Sequence, residues 1–87
     1  MFHVHFKPTF VRQFKKLESR LQDEAEEKIE LLKNAKNHGL LKVHKLHGPL
    51  KSYFSFSVNF RTRIVFYHLS KNEIVLVSIG DHDTYDT

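Results

Sequence analysis

The chain opens with a two-residue period. Phe2, Val4 and Phe6 alternate with His3 and His5, the pattern of a strand with one buried face. Pro8 ends that pattern and suits the first turn of a helix, where a missing N–H goes unused. Phe10, Phe14, Leu17 and Leu21 then recur at helical spacing. Ser19, with Gln22 three residues on, resembles a capping box and predicts a restart as a second helix. Ala25, Ile29 and Leu32 form its apolar stripe, while Asp23, Glu24, Glu26, Glu27 and Glu30 face water. Acidic first turns and the terminal Lys33 and Lys36 fit the helix dipole, and residues 37–39 supply a stop.

After Gly39 the period changes. Residues 42–47 make a short strand candidate, followed by a turn at Gly48-Pro49. Residues 53–60 alternate, with Phe54, Phe56, Val58 and Phe60 on one face and Ser55, Ser57 and Asn59 on the other. Residues 63–69 are β-branched and aromatic, and residues 70–73 form a hairpin connection. The strand opening at Ile74 is apolar on both faces, which places it inside the sheet. The expected architecture is α+β, β-α-α-β-β-β(-β), with a helix hairpin on one face of a mainly antiparallel sheet. The other face is expected to be open, basic and the seat of function. Residues 1–87 read as a single domain.

Charge sharpens that expectation. The net charge is +4, yet six of the ten acidic residues lie between Glu18 and Glu30, and none falls between Leu31 and Asn72. That stretch carries eight Lys and Arg with four His, a field that attracts a polyanion or an acidic protein. There is no Cys, which excludes a disulfide framework and a thiolate zinc site. The N-terminus is too short and polar for a signal peptide, and no apolar run approaches the roughly 20 residues that span a membrane. A cytoplasmic protein without a membrane partner is the expectation.

The segments KLHGPLKSYFSFSV, RTRIVFYHL and IGDHDTYD, in this order after a helix pair, resemble the RelE/ParE superfamily of toxins from type II toxin–antitoxin systems. The resemblance covers nearly the whole chain. It implies the RelE-like fold and a cognate antitoxin as partner. On the histidine-containing YafQ/YoeB-like branch it implies an mRNA interferase, an endoribonuclease that uses no metal and works mostly in the ribosomal 30S A site. The ParE-like branch implies a non-enzymatic inhibitor of DNA gyrase instead. Arg63 matches the arginine that contacts the scissile phosphate, and His82 matches the C-terminal histidine of the nuclease branch. Tyr85 stands near the place of its terminal aromatic, spaced differently from the adjacent His and Tyr of YoeB, and His44 aligns with a histidine of the YafQ pattern. The two lysines of RelE itself fall on Ser55 and Ser57, so a histidine-based variant is the better analogue.

The chemistry is consistent with those residue types. Metal-free RNA cleavage needs a base for the 2′-hydroxyl, a cation for the phosphate and an acid for the leaving oxygen. Two imidazoles can supply base and acid near neutral pH, and a guanidinium forks across phosphate oxygens. The expected catalytic set is His44, Arg63, His82 and Tyr85, with Lys42, Lys45, His47, Lys51 and Arg61 contacting RNA. Cofactors and metals are expected to be absent; His3 and His5 are too isolated to make a metal site. Bland alternatives stand beside these assignments: a salt bridge from Arg63 to Asp81 or Asp83, a packed His68, a structural Tyr53. A plain binding module on the same fold is the third functional reading.

Overall fold

The computed structural model describes residues 1–48 and 52–81. In chain order the elements are β1 (His3–Phe6), α1 (Pro8–Lys15), α2 (Ser19–Leu32), a 3-10 turn (Ala35–Asn37), β2 (His44–Lys45), β3 (Phe54–Ser57), β4 (Thr62–Ser70) and β5 (Glu73–Asp81). They form one five-stranded sheet in the order β1-β5-β4-β3-β2. β1 runs parallel to β5, and every other neighbouring pair is antiparallel. The sheet is therefore mixed, and the inward position expected for β5 is where it lies. Among the described residues no helix is long and apolar enough to cross a membrane.

Both helices cover one face. Phe56, Ile64, Phe66, Ile74, Leu76 and Ile79 of the sheet are buried against Phe10, Ala25, Ile29, Leu32 and Leu41. Apolar area removed from water here, at roughly 25 cal/mol per Å², supplies the main favourable term in folding. Hydrogen bonds finish the helix–sheet joint. β1 pairs with β5 only as far as Leu76, so among the described residues the edge of β5 beyond it has no strand partner. There the Gln13 side chain of α1 accepts the Ile79 N–H through Oε1 at 2.9 Å, satisfying a donor that would be costly to leave unpaired. Next to it, Val65 pairs with Ser78 while Phe66 pairs with Leu76, so Val77 is bulged out of the ladder.

Several local expectations need correction. Ser19 is not a cap: the N-cap is Glu18, it makes no side-chain cap bond, and the first turn holds no acidic residue. Gln22 instead donates through Nε2 to the Phe14 carbonyl at 3.0 Å, tying α2 back onto α1. α2 stops at Leu32, well before residues 37–39. The chain tightens there because the Asn34 Oδ1 accepts the Lys36 N–H at 3.1 Å, an alternative to helical bonding that Asn offers readily. The strand expected over 42–47 shrinks to His44–Lys45, since Lys42 takes a left-handed φ of 59° that breaks extended backbone. Of the Gly48-Pro49 turn, Gly48 adopts φ 68° and Pro49 lies outside the described residues. The strand expected over 53–60 ends at Ser57, and Phe60, assigned to its apolar face, is 89% exposed.

Candidate functional site

Strand register fixes which side chains share the uncovered face. Directly opposed residues point the same way. Ser57 faces Arg63, and Arg63 faces Gly80. One row along, His44, Ser55, Val65 and Ser78 lie side by side across four strands. Further along, Tyr67 faces Val75, and Val75 faces His5. The rings of Tyr53 and Tyr67 stack there, 5.7 Å between centroids and 26° between planes.

The face is narrower than expected. Ser55, Val65, Val75 and Ser78 are all buried. What remains accessible is a rim of Arg63, His44 and the tyrosine pair. The basic middle of the sequence does not fold onto this face as one layer. Lys33 turns back to Glu30 at 2.7 Å, and Lys45 shares its parity with Phe54, on the helix side. Lys45 is thereby removed as a helper of Arg63. Asp81, one of the two carboxylates suggested as partners of Arg63, pairs with Arg61 at 3.3 Å, and the other, Asp83, lies outside the described residues.

Arg63 has a different partner. Its Nη1 donates to the Ser57 Oγ across the β3–β4 pair. A neutral hydroxyl orients the guanidinium without cancelling its charge, which leaves the remaining donors available to an anion. His44 is oriented by backbone: its Nδ1 lies 3.0 Å from the Lys42 carbonyl oxygen. A carbonyl only accepts, so Nδ1 carries the proton and, in the neutral ring, Nε2 presents a lone pair. The left-handed turn at Lys42 brings that carbonyl to the ring. His44 and Arg63 sit two strands and two residues apart, about 12 Å between Cα atoms by strand spacing. An arginine, an imidazole and a phosphate between them fill such a span.

Lys42 is exposed at one end of this region, and His47 is exposed beyond β2. Lys51, His82 and Tyr85 lie outside the described residues. The described chain ends at Asp81, opposite Thr62 and next to the Arg63–Gly80 pair. His5 Nε2 lies 2.9 Å from Glu73 Oε2, so the N-terminal histidine pair leads to a single carboxylate. Among the described residues no three metal-ligating side chains converge. Bonds from Ser70 and His5 hold the Glu73 carboxyl below its usual range. His68 packs against Phe2, Phe54 and Phe66, and desolvation, with the nearby His38, pushes its pKa down.

Two features escaped the sequence reading. Tyr67 has the same strand parity as Arg63, which was sufficient to place it on this face. The second is a cleft of about 640 Å³ beside Arg63, lined by Leu40, Lys42, Ser57, Asn59 and Phe60 and closed behind by α2. A larger groove of about 1040 Å³ runs between β1 and the helices, but its walls are mostly apolar, among them Phe2, Val4, Phe6, Phe10 and Phe14. Of its titratable side chains, Glu30 and Lys33 neutralise each other at 2.7 Å, so the candidate reaction centre is placed with Arg63.

No family model matches the chain, and no curated protein matches it in sequence. Solved structures match it in fold. The fold is similar to YafQ from E. coli strain BL21(DE3), with TM-score 0.78 and 15% identity over 97% of each chain. It is similar to a YoeB/ParE toxin from Agrobacterium tumefaciens, with TM-score 0.76 and 17% identity over 94% of this chain and 99% of that one. A third match is the YoeB–YefM complex from Staphylococcus aureus, with TM-score 0.75 and 21% identity over 94% of this chain and 98% of that one. At such identities the likeness is one of architecture, and the architecture is specific: two helices on a five-stranded mixed sheet, the fold of the RelE/YoeB-like toxins.

Proposed function

We propose that this protein is the toxin of a toxin–antitoxin system and acts as a metal-independent endoribonuclease on mRNA, in the ribosomal A site. The observation that carries this reading is the pairing, on one uncovered face, of Arg63 with a histidine whose Nδ1 is committed to a carbonyl. In the proposed reaction His44 Nε2 takes the proton of the 2′-hydroxyl, and the 2′-oxygen attacks the adjacent phosphorus. Arg63 offsets the charge that builds on the phosphoryl oxygens. The P–O5′ bond breaks, and His82 gives its proton to the departing 5′-oxygen. The products are a 2′,3′-cyclic phosphate and a 5′-hydroxyl, so atoms and charge balance without a metal. Tyr85 positions the substrate; Lys42, His47, Lys51 and Arg61 add phosphate contacts along the path. A cognate antitoxin would block this face or reshape it.

Inducing the protein in a bacterial host and mapping RNA ends tests the reading. Translation arrest, with new 5′-hydroxyl ends inside codons, is the expected result. Arrest with intact mRNA and a DNA-damage response would instead identify a gyrase inhibitor. Unimpaired growth would leave a binding module.

A further inference from the structure

The turn between β3 and β4 is built more rigidly than a solvent-exposed connection requires. Asn59 Oδ1 accepts the N–H groups of Arg61 and Thr62, each at 2.9 Å, and Asn59 Nδ2 donates to Glu24 Oε1 of α2 at 3.0 Å. The Val58 N–H donates to the Thr62 carbonyl at 2.8 Å. At the tip of this braced turn stands Phe60, 89% exposed. A large aromatic held in water on a preorganised turn contributes little to folding, whereas it loses little entropy when it binds. Across the cleft is Leu40, 73% exposed, and Arg63 and Lys42 line the same space.

We propose that this cleft is a nucleobase subsite, in which Phe60 stacks on one base of a single-stranded RNA whose phosphate is held by Arg63. The inference rests on the ribonuclease reading and extends it to a residue outside the reaction centre. The cleft volume of about 640 Å³ falls in the range of small-ligand sites. Its chemistry matches a nucleotide: apolar walls for a π-face, cations for the phosphate. The carboxylate on its wall, Glu27, is paired with Lys28 at 3.2 Å. Stacking reads any base, so the subsite contributes affinity and register and discriminates weakly between sequences.

The chain contains no Trp, so Phe60→Trp installs a single fluorescent reporter at an exposed position. The probe is a short, fluorescein-labelled, 2′-O-methylated RNA, which binds without being cut. Wild-type protein should bind it, and Phe60→Ala should weaken binding about five- to hundred-fold, the range for a lost base–aromatic stack. Emission of the Phe60→Trp variant should be quenched by unlabelled 2′-O-methylated RNA, and much less by the same strand carrying abasic positions. RNA binding that Arg63→Ala weakens while Phe60→Ala leaves it within two-fold (on the order of 0.4 kcal/mol) would overturn the subsite alone. Absence of RNA binding by the wild type would overturn the subsite, and the ribonuclease reading would then stand or fall on the RNA ends mapped after induction. Emission that responds to a partner protein and not to RNA would reassign the tip as a protein contact and also overturn the proposal.

Discussion

Asn59→Ala removes three hydrogen bonds at once, and its cost can be worked from their geometry. The two bonds accepted by Oδ1 are short and local, each at 2.9 Å. Neutral bonds of this kind contribute about 0.5–1.5 kcal/mol each, and water reaching the exposed Arg61 N–H returns part of that. The bond from Nδ2 to Glu24 at 3.0 Å ties the turn to α2. It involves a charge, but partial exposure holds it to about 1 kcal/mol. The sum is about 2 kcal/mol. For a domain of 87 residues that lowers the melting temperature by about 10 °C. Urea denaturation of wild type and variant gives the difference directly, with the slope unchanged if only the native state is affected. Asn59→Asp separates the terms, because it keeps the Oδ1 acceptor and sets a carboxylate against Glu24. Adding Glu24→Gln should then recover most of the loss, with donor and acceptor exchanged. A loss below about 0.5 kcal/mol for Asn59→Ala, or no recovery in the double variant, would refute the account of a braced turn.

Other outcomes follow from the same structure. His68→Gln should flatten the pH dependence of stability. The folded state holds the His68 pKa below 6.5 by desolvation and by His38, so the unfolded chain binds the proton more readily. Its contribution is therefore complete above 6.5 and is lost as pH falls through that value. Equal slopes for wild type and variant in denaturant midpoints from pH 7.5 to 5.5, on the order of two units, would contradict this. His82→Gln should slow RNA cleavage on the order of 10²-fold or more, the scale of a lost acid–base group, and single-turnover rates within a few-fold of wild type would remove that role.

The fold was legible because its signals are long and regular. The Phe10–Phe14 and Ala25–Ile29–Leu32 stripes and the apolar run of β5 each had one plausible burial. The period of β1 held, but as an edge strand it buries less than expected, and Phe6, assigned to its buried face, is 49% exposed. The ends of elements were less legible, since they were decided by single side chains bonding to backbone: Asn34 at the end of α2, Asn59 after β3, the left-handed Lys42 before β2. Asn59 shows the consequence. Alternation counted it as a strand residue, whereas its amide closes a turn, and Phe60 swings from the expected core into solvent. Arg63 was placed by its strand, and parity would also have placed Tyr67. Charge counting misled about the face, because it does not say which side of a strand a lysine occupies. Lys45 was lost that way to parity, while Arg61 lies beyond the strand against Asp81.

The most direct test of the central claim is the chemistry of the RNA ends left when purified protein meets a translated mRNA, comparing wild type with Arg63→Ala. The account predicts 2′,3′-cyclic phosphate and 5′-hydroxyl ends from the wild type, and none above background from a folded Arg63→Ala variant. Products from that variant at the wild-type rate, or 5′-phosphate and 3′-hydroxyl ends from the wild type, as metal-dependent hydrolysis leaves, would contradict it.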